Sequence, residues 1–430
     1  MALGFSYKPE ASEPEVRSVV LTPPKIGAVT FHNLSEPTSG VACVGTRAAT
    51  NFNRRTELAS DTIWISDAKG ATNAQNFRYA NYLRCTTNNI AEDLGVVLQD
   101  TVMGLPRVAE TIGRVRDIVA HSYPWTNFSQ EWSHQTLAAS IAKILSPLGS
   151  SETPEELESA FTQAFQSYSM VPDIQGPIPG NVPQKLYSLR SNRLRYAQYI
   201  CKTQIPSGRW QSMLVPEGGN ALKLDDYLNP NKPCIVEASI DFSTSLSAAV
   251  TPALTAFGSS RPNGNSAIRK WISQIELAWL VEHANVYITS AFCAQGSTDL
   301  PTRLQLPVSI TADPVYSLSI SAGIVAENHW VALSQTTSKR RAGNSATSVY
   351  YDVATPMAVW LRAADRAYCF SMAKIVAERG FVVTGYGYGS VNFYGPRNDI
   401  ARIAELADEL GTCHPCLASM ENQMLAGPEA

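Results

Sequence analysis

Charged side chains are scarce: they make up 17% of this 430-residue chain, against about 25% of an average soluble domain. The exterior is therefore expected to be largely neutral, and so extensive a neutral surface points to burial against other protein subunits. Long apolar runs are missing as well. No window reaches about 18 uninterrupted apolar residues, which excludes a membrane-spanning helix. Met1-Ala-Leu-Gly-Phe-Ser-Tyr-Lys8 lacks the basic start and apolar stretch of a secretory signal. Nor is there an excess of positive charge, since the formal net charge is -3. That excludes a polycation that condenses a genome, and any contact with nucleic acid has to be local.

Recognisable chemistry is the last absence. The chain contains no Gly-x-Ser-x-Gly elbow and no His-Glu-x-x-His pair, so nothing selects a catalytic residue among His32, His121, His134, His283, His329 and His414. Cys43, Cys85, Cys201, Cys234, Cys293, Cys369, Cys413 and Cys416 are scattered, mostly within apolar runs. They read as buried free thiols of an intracellular, reducing location. Cys413-His-Pro-Cys416 has the spacing of half a zinc site, but no second pair stands at the matching spacing. Gly385-Tyr-Gly-Tyr-Gly389 follows a strand-like run, yet Ser390-Val-Asn-Phe-Tyr394 continues as a strand where a phosphate loop would open a helix. A tight hairpin is the expectation there. No cofactor, metal or catalytic residue is assigned.

What is present supports a large folded core: 44% of the residues are hydrophobic, and 13 Phe, 17 Tyr and 8 Trp supply bulk. Residues 1–25, ending Leu21-Thr-Pro-Pro-Lys25, predict an extended arm. A mainly helical part is expected over 26–170, after short strands at Gly27–His32, Val41–Gly45 and Thr62–Ser66. Leu105, Val108, Ile112, Val115 and Val119 make an amphipathic stripe, Ser129–Leu145 repeats it, and Thr153-Pro-Glu-Glu156 is a capping box. Residues 171–184 include four prolines and two glycines between Val171 and Pro183, as a linker or a long crossing loop. Over 185–412 the patterns predict helices at Lys185–Lys202 and Ser266–Ala284, then strands at Ile235–Phe242, Val286–Cys293, Leu304–Ile310, Val315–Ala326, Trp330–Ser334 and Ser348–Val353. Two more helices run from Thr355-Pro356 to Gly380 and over Asn398–Leu410. Residues 413–430 form a tail. The class is α+β, with a helix-rich N-terminal third, an antiparallel β-rich stretch around 285–353 and C-terminal helices.

Two basic clusters are candidates for facing nucleic acid. Arg190, Arg193 and Arg195 stand with Lys185, Lys202 and Arg209 among Tyr187, Tyr196, Tyr199 and Trp210, a mixture in which cations meet phosphates and aromatics meet bases. On the helix expected there the charges spread over more than one face, and with no single basic face the pattern favours a solvated or subunit-facing helix over a nucleic-acid contact. Lys339, Arg340 and Arg341 stand in Ser338-Lys-Arg-Arg-Ala-Gly343, a turn between strands that reads as an exposed hairpin tip or a nucleic-acid contact.

A long, weakly charged chain rich in Ser, Thr, Ala and Asn, with a Pro-rich arm and many aromatics, resembles the coat protein of a small icosahedral virus. The resemblance is one of whole-chain character. Residues 1–25 set Lys8, Arg17 and Lys25 against Glu10, Glu13 and Glu15, so the arm is not the basic kind that neutralises a condensed single-stranded genome. The resemblance thus extends to helix-rich shells around double-stranded RNA. It implies a capsid subunit rather than an enzyme, assembled in the host cytoplasm into the icosahedral shell of a virion. Its partners would be copies of itself, other capsid proteins and viral RNA, with no membrane. Two alternatives stay open. One is a cytosolic hydrolase or transferase with a site between the helical and β-rich parts, marked by a cleft where His283, His329 or a cysteine meets a carboxylate. The other is a nucleoprotein coating single-stranded RNA, marked by a continuous basic groove, against which the net charge argues.

Overall fold

The computed structural model describes residues 2–4, 19–21, 25–31, 40–45, 47–59, 62–65, 77–78, 87–98, 100–123, 137–145, 155–166, 184–214, 224–229, 232–241, 268–307, 310, 320–342 and 349–413. Within the expected arm, β1 (Ala2–Gly4) pairs antiparallel with β2 (Val19–Leu21). A five-stranded sheet follows from β3 (Lys25–Phe31), β4 (Gly40–Val44), β5 (Thr50–Phe52), β6 (Thr62–Ile65) and β7 (Phe77–Arg78), in the order β5-β4-β3-β6-β7. Then come α1 (Thr87–Asp93), α2 (Gly104–Ser122), α3 (Leu137–Leu145) and α4 (Glu155–Gln166). The predicted stripe is the reason for α2: Leu105, Val108, Ile112, Val115 and Val119 are all buried, and the helix packs on β3 and β4. Thr153 and, apart from Gln184, the Pro-rich stretch 171–184 lie outside the described residues.

The second half begins with β8 (Gln184–Ser191), α5 (Arg193–Ile200), β9 (Ile205–Leu214) and β10 (Cys234–Asp241). It continues through β11 (Ile268–Ser273), α6 (Gln274–Leu280), β12 (Asn285–Thr298), α7 (Ile320–Leu333), β13 (Thr337–Ala342) and β14 (Val349–Ala354). Last are α8 (Pro356–Glu378), β15 (Val382–Gly387), β16 (Ser390–Pro396), α9 (Ile400–Glu409) and β17 (Thr412–Cys413). Two four-stranded antiparallel sheets result, ordered β11-β10-β12-β9 and β15-β16-β8-β17, with β13-β14 as a separate hairpin. The α+β class is as expected, and so is the hairpin of β15 and β16 at the glycine-tyrosine run.

Three segments depart from the sequence expectation, each for a local reason. The helix expected at Lys185–Lys202 is a strand followed by a shorter helix. Tyr187, Leu189 and Ser191 alternate into the core, a period of two, and the Asn192 side chain then accepts the Arg195 N–H to cap α5. Ser266–Ala284 divides likewise: Ser273 and Glu276 form a capping box that starts α6 only after β11. The strands expected at Val315–Ala326 and Trp330–Ser334 are replaced, from Ile320 on, by the single helix α7, nearly all of which is buried. A helix covered on every side is apolar all round, so its sequence carries no periodicity to separate it from strands. Leu304 ends a short 3-10 turn, Thr302–Leu304, rather than opening a strand.

Because α7 packs against α2, α3, α5 and α8, it ties the N-terminal helices to the C-terminal part. His329 fastens it. The Leu304 carbonyl, 2.9 Å from Nε2, can only accept, so Nε2 carries the proton and Nδ1 accepts the Tyr123 hydroxyl at 2.9 Å. Burial holds this imidazole down at about 4. Between pH 6.5 and 4 the unfolded chain binds a proton that the native chain does not, so stability falls as the pH drops through that window. The loss is expected to be roughly 3 kcal/mol. Urea titrations at pH 7, 5.5 and 4 should show it, with a flatter profile for His329→Gln; parallel profiles would refute the assignment.

Candidate nucleic-acid interface

Helix α5 divides the basic residues that the sequence grouped together. Leu194, Tyr196, Ala197 and Ile200 face the core. Arg193 also turns inward, 2.8 Å from Asp93 and 2.6 Å from Glu327, and Arg190 lies 3.8 Å from Asp93. Burial raises the Asp93 carboxyl, while Arg193 and then Arg190 pull it back. Arg190 and Arg193 are thus engaged in ion pairs within the protein, linking α1, β8, α5 and α7.

Arg195, Tyr199 and Lys202 remain exposed. The four-residue spacing of Arg195 and Tyr199 puts them on one face of α5, which Arg193 leaves by pointing the other way, and Lys202 follows in the turn just after the helix. Tyr199 is 52% exposed, yet it is supported from beneath. Its ring rests against Tyr368 of α8 at 5.1 Å, Tyr368 meets Tyr196 at 5.0 Å, and Tyr196 meets Trp330 of α7 edge-on at 5.7 Å. The Tyr368 hydroxyl lies 3.2 Å from Ser191 Oγ. Burial and then Tyr368 push the Tyr199 hydroxyl up, which keeps it uncharged. The arrangement is an aromatic shelf with an exposed cation four residues before it and another three residues after it in the chain.

The second cluster differs from expectation in its backbone. Lys339, Arg340 and Arg341 lie within β13 rather than in a turn, opposite Asp352, Tyr351 and Tyr350 of β14. Lys339 is exposed and faces Asp352 across the ladder, an opposite-charge pair. Among the described strands β13 pairs with β14, so this cluster and the α5 stripe occupy separate elements.

Two buried polar groups of the structure were invisible in the sequence. Asp365 of α8 is wholly buried and accepts the Tyr388 N–H at 3.0 Å and the Gly389 N–H at 3.2 Å, as well as the Tyr196 hydroxyl. The Cys369 thiol donates to the same carboxylate at 3.5 Å. A cysteine therefore does meet a carboxylate, but burial and then Asp365 hold both Cys369 and Tyr196 well above their usual ranges. They stay protonated donors that fix the β15-β16 turn. There Tyr388 adopts φ +52 and Gly389 φ +69, and a Cβ on Gly389 would come within 2.8 Å of the Tyr196 ring. In the second group Arg366 of α8 pairs with Glu276 of α6, both almost fully buried. Lys270 of β11 is held down at about 8 by burial, with Glu276 opposing and Arg366 reinforcing the shift. Among the described residues no cluster of His, Cys, Asp and Glu is arranged to hold a metal ion, and no helix is long and apolar enough to cross a membrane.

No protein-family model matches the chain, and no curated protein does. Solved structures similar to it include Phi29 DNA polymerase complexed with single-stranded DNA, at 12% identity and TM-score 0.43, covering 88% of this chain and 81% of that one. The ternary complex of the same polymerase with primer-template DNA and incoming nucleotides gives 11% identity and TM-score 0.38, covering 89% and 82% of the two chains. Its binary complex with primer-template DNA gives 11% and 0.39, covering 87% and 81%. None of the three is a shell protein. This finding corrects the expectation of a capsid subunit, and with it the virion and the partners named there: copies of itself, other capsid proteins and an enclosed viral RNA. At such identities and TM-scores the polymerase's own activity is not carried over to this chain.

Proposed function

We propose that this protein binds single-stranded nucleic acid on the exposed face of α5, with Tyr199 as the stacking platform and Arg195 and Lys202 as phosphate contacts. One observation carries the reading: a half-exposed tyrosine, backed by a ring ladder that reaches the core, stands in the chain between two exposed cations. A base stacked on a supported aromatic gains about 1–3 kcal/mol and asks for no particular sequence. The net charge of -3 supplies no long-range attraction, so binding is local and sensitive to salt.

The test is fluorescence anisotropy with labelled oligo(U) and oligo(dT) at about 50 mM salt, where electrostatic binding is strong. Tyr199→Ala should weaken binding by about 5- to 150-fold, and Tyr199→Phe should retain it. Arg195→Ala and Lys202→Ala should each lower the slope of log affinity against log salt by about 0.7. Absence of binding by the native chain, or an unchanged affinity for Tyr199→Ala, would sink the proposal. An enzyme reading has one observation in its favour, the partly buried amine of Lys270, held down at about 8 beside Glu276 and Arg366, because such lysines serve as nucleophiles or bases. Lys270→Met separates the two readings, since it removes that amine and leaves the α5 face intact.

A further inference from the structure

Cys234 and Cys293 stand directly opposite each other in the β10-β12 ladder, a neighbourhood that their separation in the sequence conceals. The Ala294 N–H donates to the Pro233 carbonyl at 2.9 Å, so Pro233 and Ala294 form a hydrogen-bonded position. The alternation of an antiparallel ladder then makes Cys234 and Cys293 a non-hydrogen-bonded pair, with Cα atoms about 4.5 Å apart. That separation falls within the roughly 4.4–6.8 Å over which a disulfide closes without moving the backbone.

The two thiols are unequal. Cys234 is wholly buried, with its sulfur 3.5 Å from the Tyr227 carbonyl. Cys293 is only partly buried. The neighbouring Cys234 and then Lys232 hold Cys293 below the usual thiol range against the opposing effect of burial. By contrast, burial pushes Cys43 up to about 11 and Cys201 up to about 12, far from the thiolate that reacts.

We propose that Cys234 and Cys293 form a redox-active dithiol that hydroperoxides oxidise to a cross-strand disulfide. Cys293 is the attacking sulfur and Cys234 the resolving one. The Cys293 thiolate attacks one oxygen of hydrogen peroxide and the O–O bond breaks. The departing hydroxide takes up the proton that Cys293 released, giving water and a sulfenic acid. The Cys234 sulfur then attacks the Cys293 sulfur, the S–O bond breaks, and the hydroxyl leaves with the Cys234 proton as a second water. The two thiols lose two electrons and the peroxide gains them. The bond closes a loop over residues 235–292, which carries β11 and α6, and clamps β10 to β12 next to the edge strand β9.

The intact chain, treated with a few equivalents of hydrogen peroxide, is alkylated while denatured, digested without reduction and weighed by mass spectrometry. The expected product is a linked peptide pair containing Cys234 and Cys293, two hydrogens lighter than the separate peptides and parted by dithiothreitol. In Cys234→Ser the resolving sulfur is gone, so Cys293 should accumulate as a sulfenic acid captured by dimedone. Full alkylation of both residues after peroxide, or preferential linkage of either to a different cysteine, would overturn the proposal. The linked peptide is sought in the native chain, so a variant that fails to fold leaves the test standing. Nucleic-acid affinity does not enter the readout, so this inference and the binding proposal fail independently.

Discussion

Replacing Asp365 by alanine is expected to lower the unfolding free energy by about 4 kcal/mol, enough to remove much of the roughly 5–15 kcal/mol of a typical domain. The reason lies in the donors left behind. The Tyr196 hydroxyl, the Cys369 thiol and the Tyr388 and Gly389 amides all converge on this one buried carboxylate, and each orphaned donor costs about 1–3 kcal/mol when no water replaces the acceptor. The effect extends to the backbone, because Tyr388 holds a left-handed conformation that a non-glycine residue keeps only under constraint. Hydrogen exchange at the Tyr388 and Gly389 amides should therefore accelerate in Asp365→Ala. Tyr196→Phe makes the contrast. It removes one donor and leaves the acceptor satisfied by the others, so about 1 kcal/mol is expected. Urea denaturation of the two variants decides the matter, and equal losses in both would show that the carboxylate is not the hub.

The second large effect is expected at the ion pair of Glu276 and Arg366. Arg366→Met should cost about 3–5 kcal/mol, because it removes the guanidinium paired with a carboxylate at a site sealed from water. Glu276→Gln should cost a similar amount by removing the carboxylate that the buried guanidinium faces, although a glutamine preserves part of the cap on α6. The double variant Glu276→Gln/Arg366→Met removes both charges and should be more stable than the sum of the single losses by a few kcal/mol. Strict additivity in a double-mutant cycle would mean that the two groups do not depend on each other. Glu276 has the larger share of roles, since it also accepts from the Ser273 N–H and hydroxyl at 3.1 and 3.0 Å.

How much of this was legible beforehand depended on whether a signal was local. The stripe of α2, the start of α8 at Thr355-Pro356, the β15-β16 hairpin and the end of α9 at Gly411 are written in residues that touch one another along the chain, so period and punctuation sufficed. The β8-to-α5 and β11-to-α6 transitions were missed where apolar spacing fitted a longer helix. Asn192 and Ser273 were the stop signs, and they become caps only once a helix begins at the next residue. Helix α7 was misread because burial on all sides removes the polar face that would have marked it.

The α5 site shows the same division. The sequence placed arginines, lysines and tyrosines together between Lys185 and Trp210, but it could not say which of them were spoken for. Asp93 and Glu327, which engage Arg193, come from remote parts of the chain, and so does Tyr368, which supports Tyr199. Cys234 and Cys293 likewise looked isolated until the ladder set them side by side.

By itself, then, the sequence determined the α+β class, the low charge that confines any polyanion contact to a local patch, and the elements whose caps and periods lie within a few residues. Only the tertiary structure decided which cations face solvent, which carboxylates are sealed and which thiols meet. Those properties are distances between segments remote in the chain, set by packing, and composition and spacing do not encode them residue by residue.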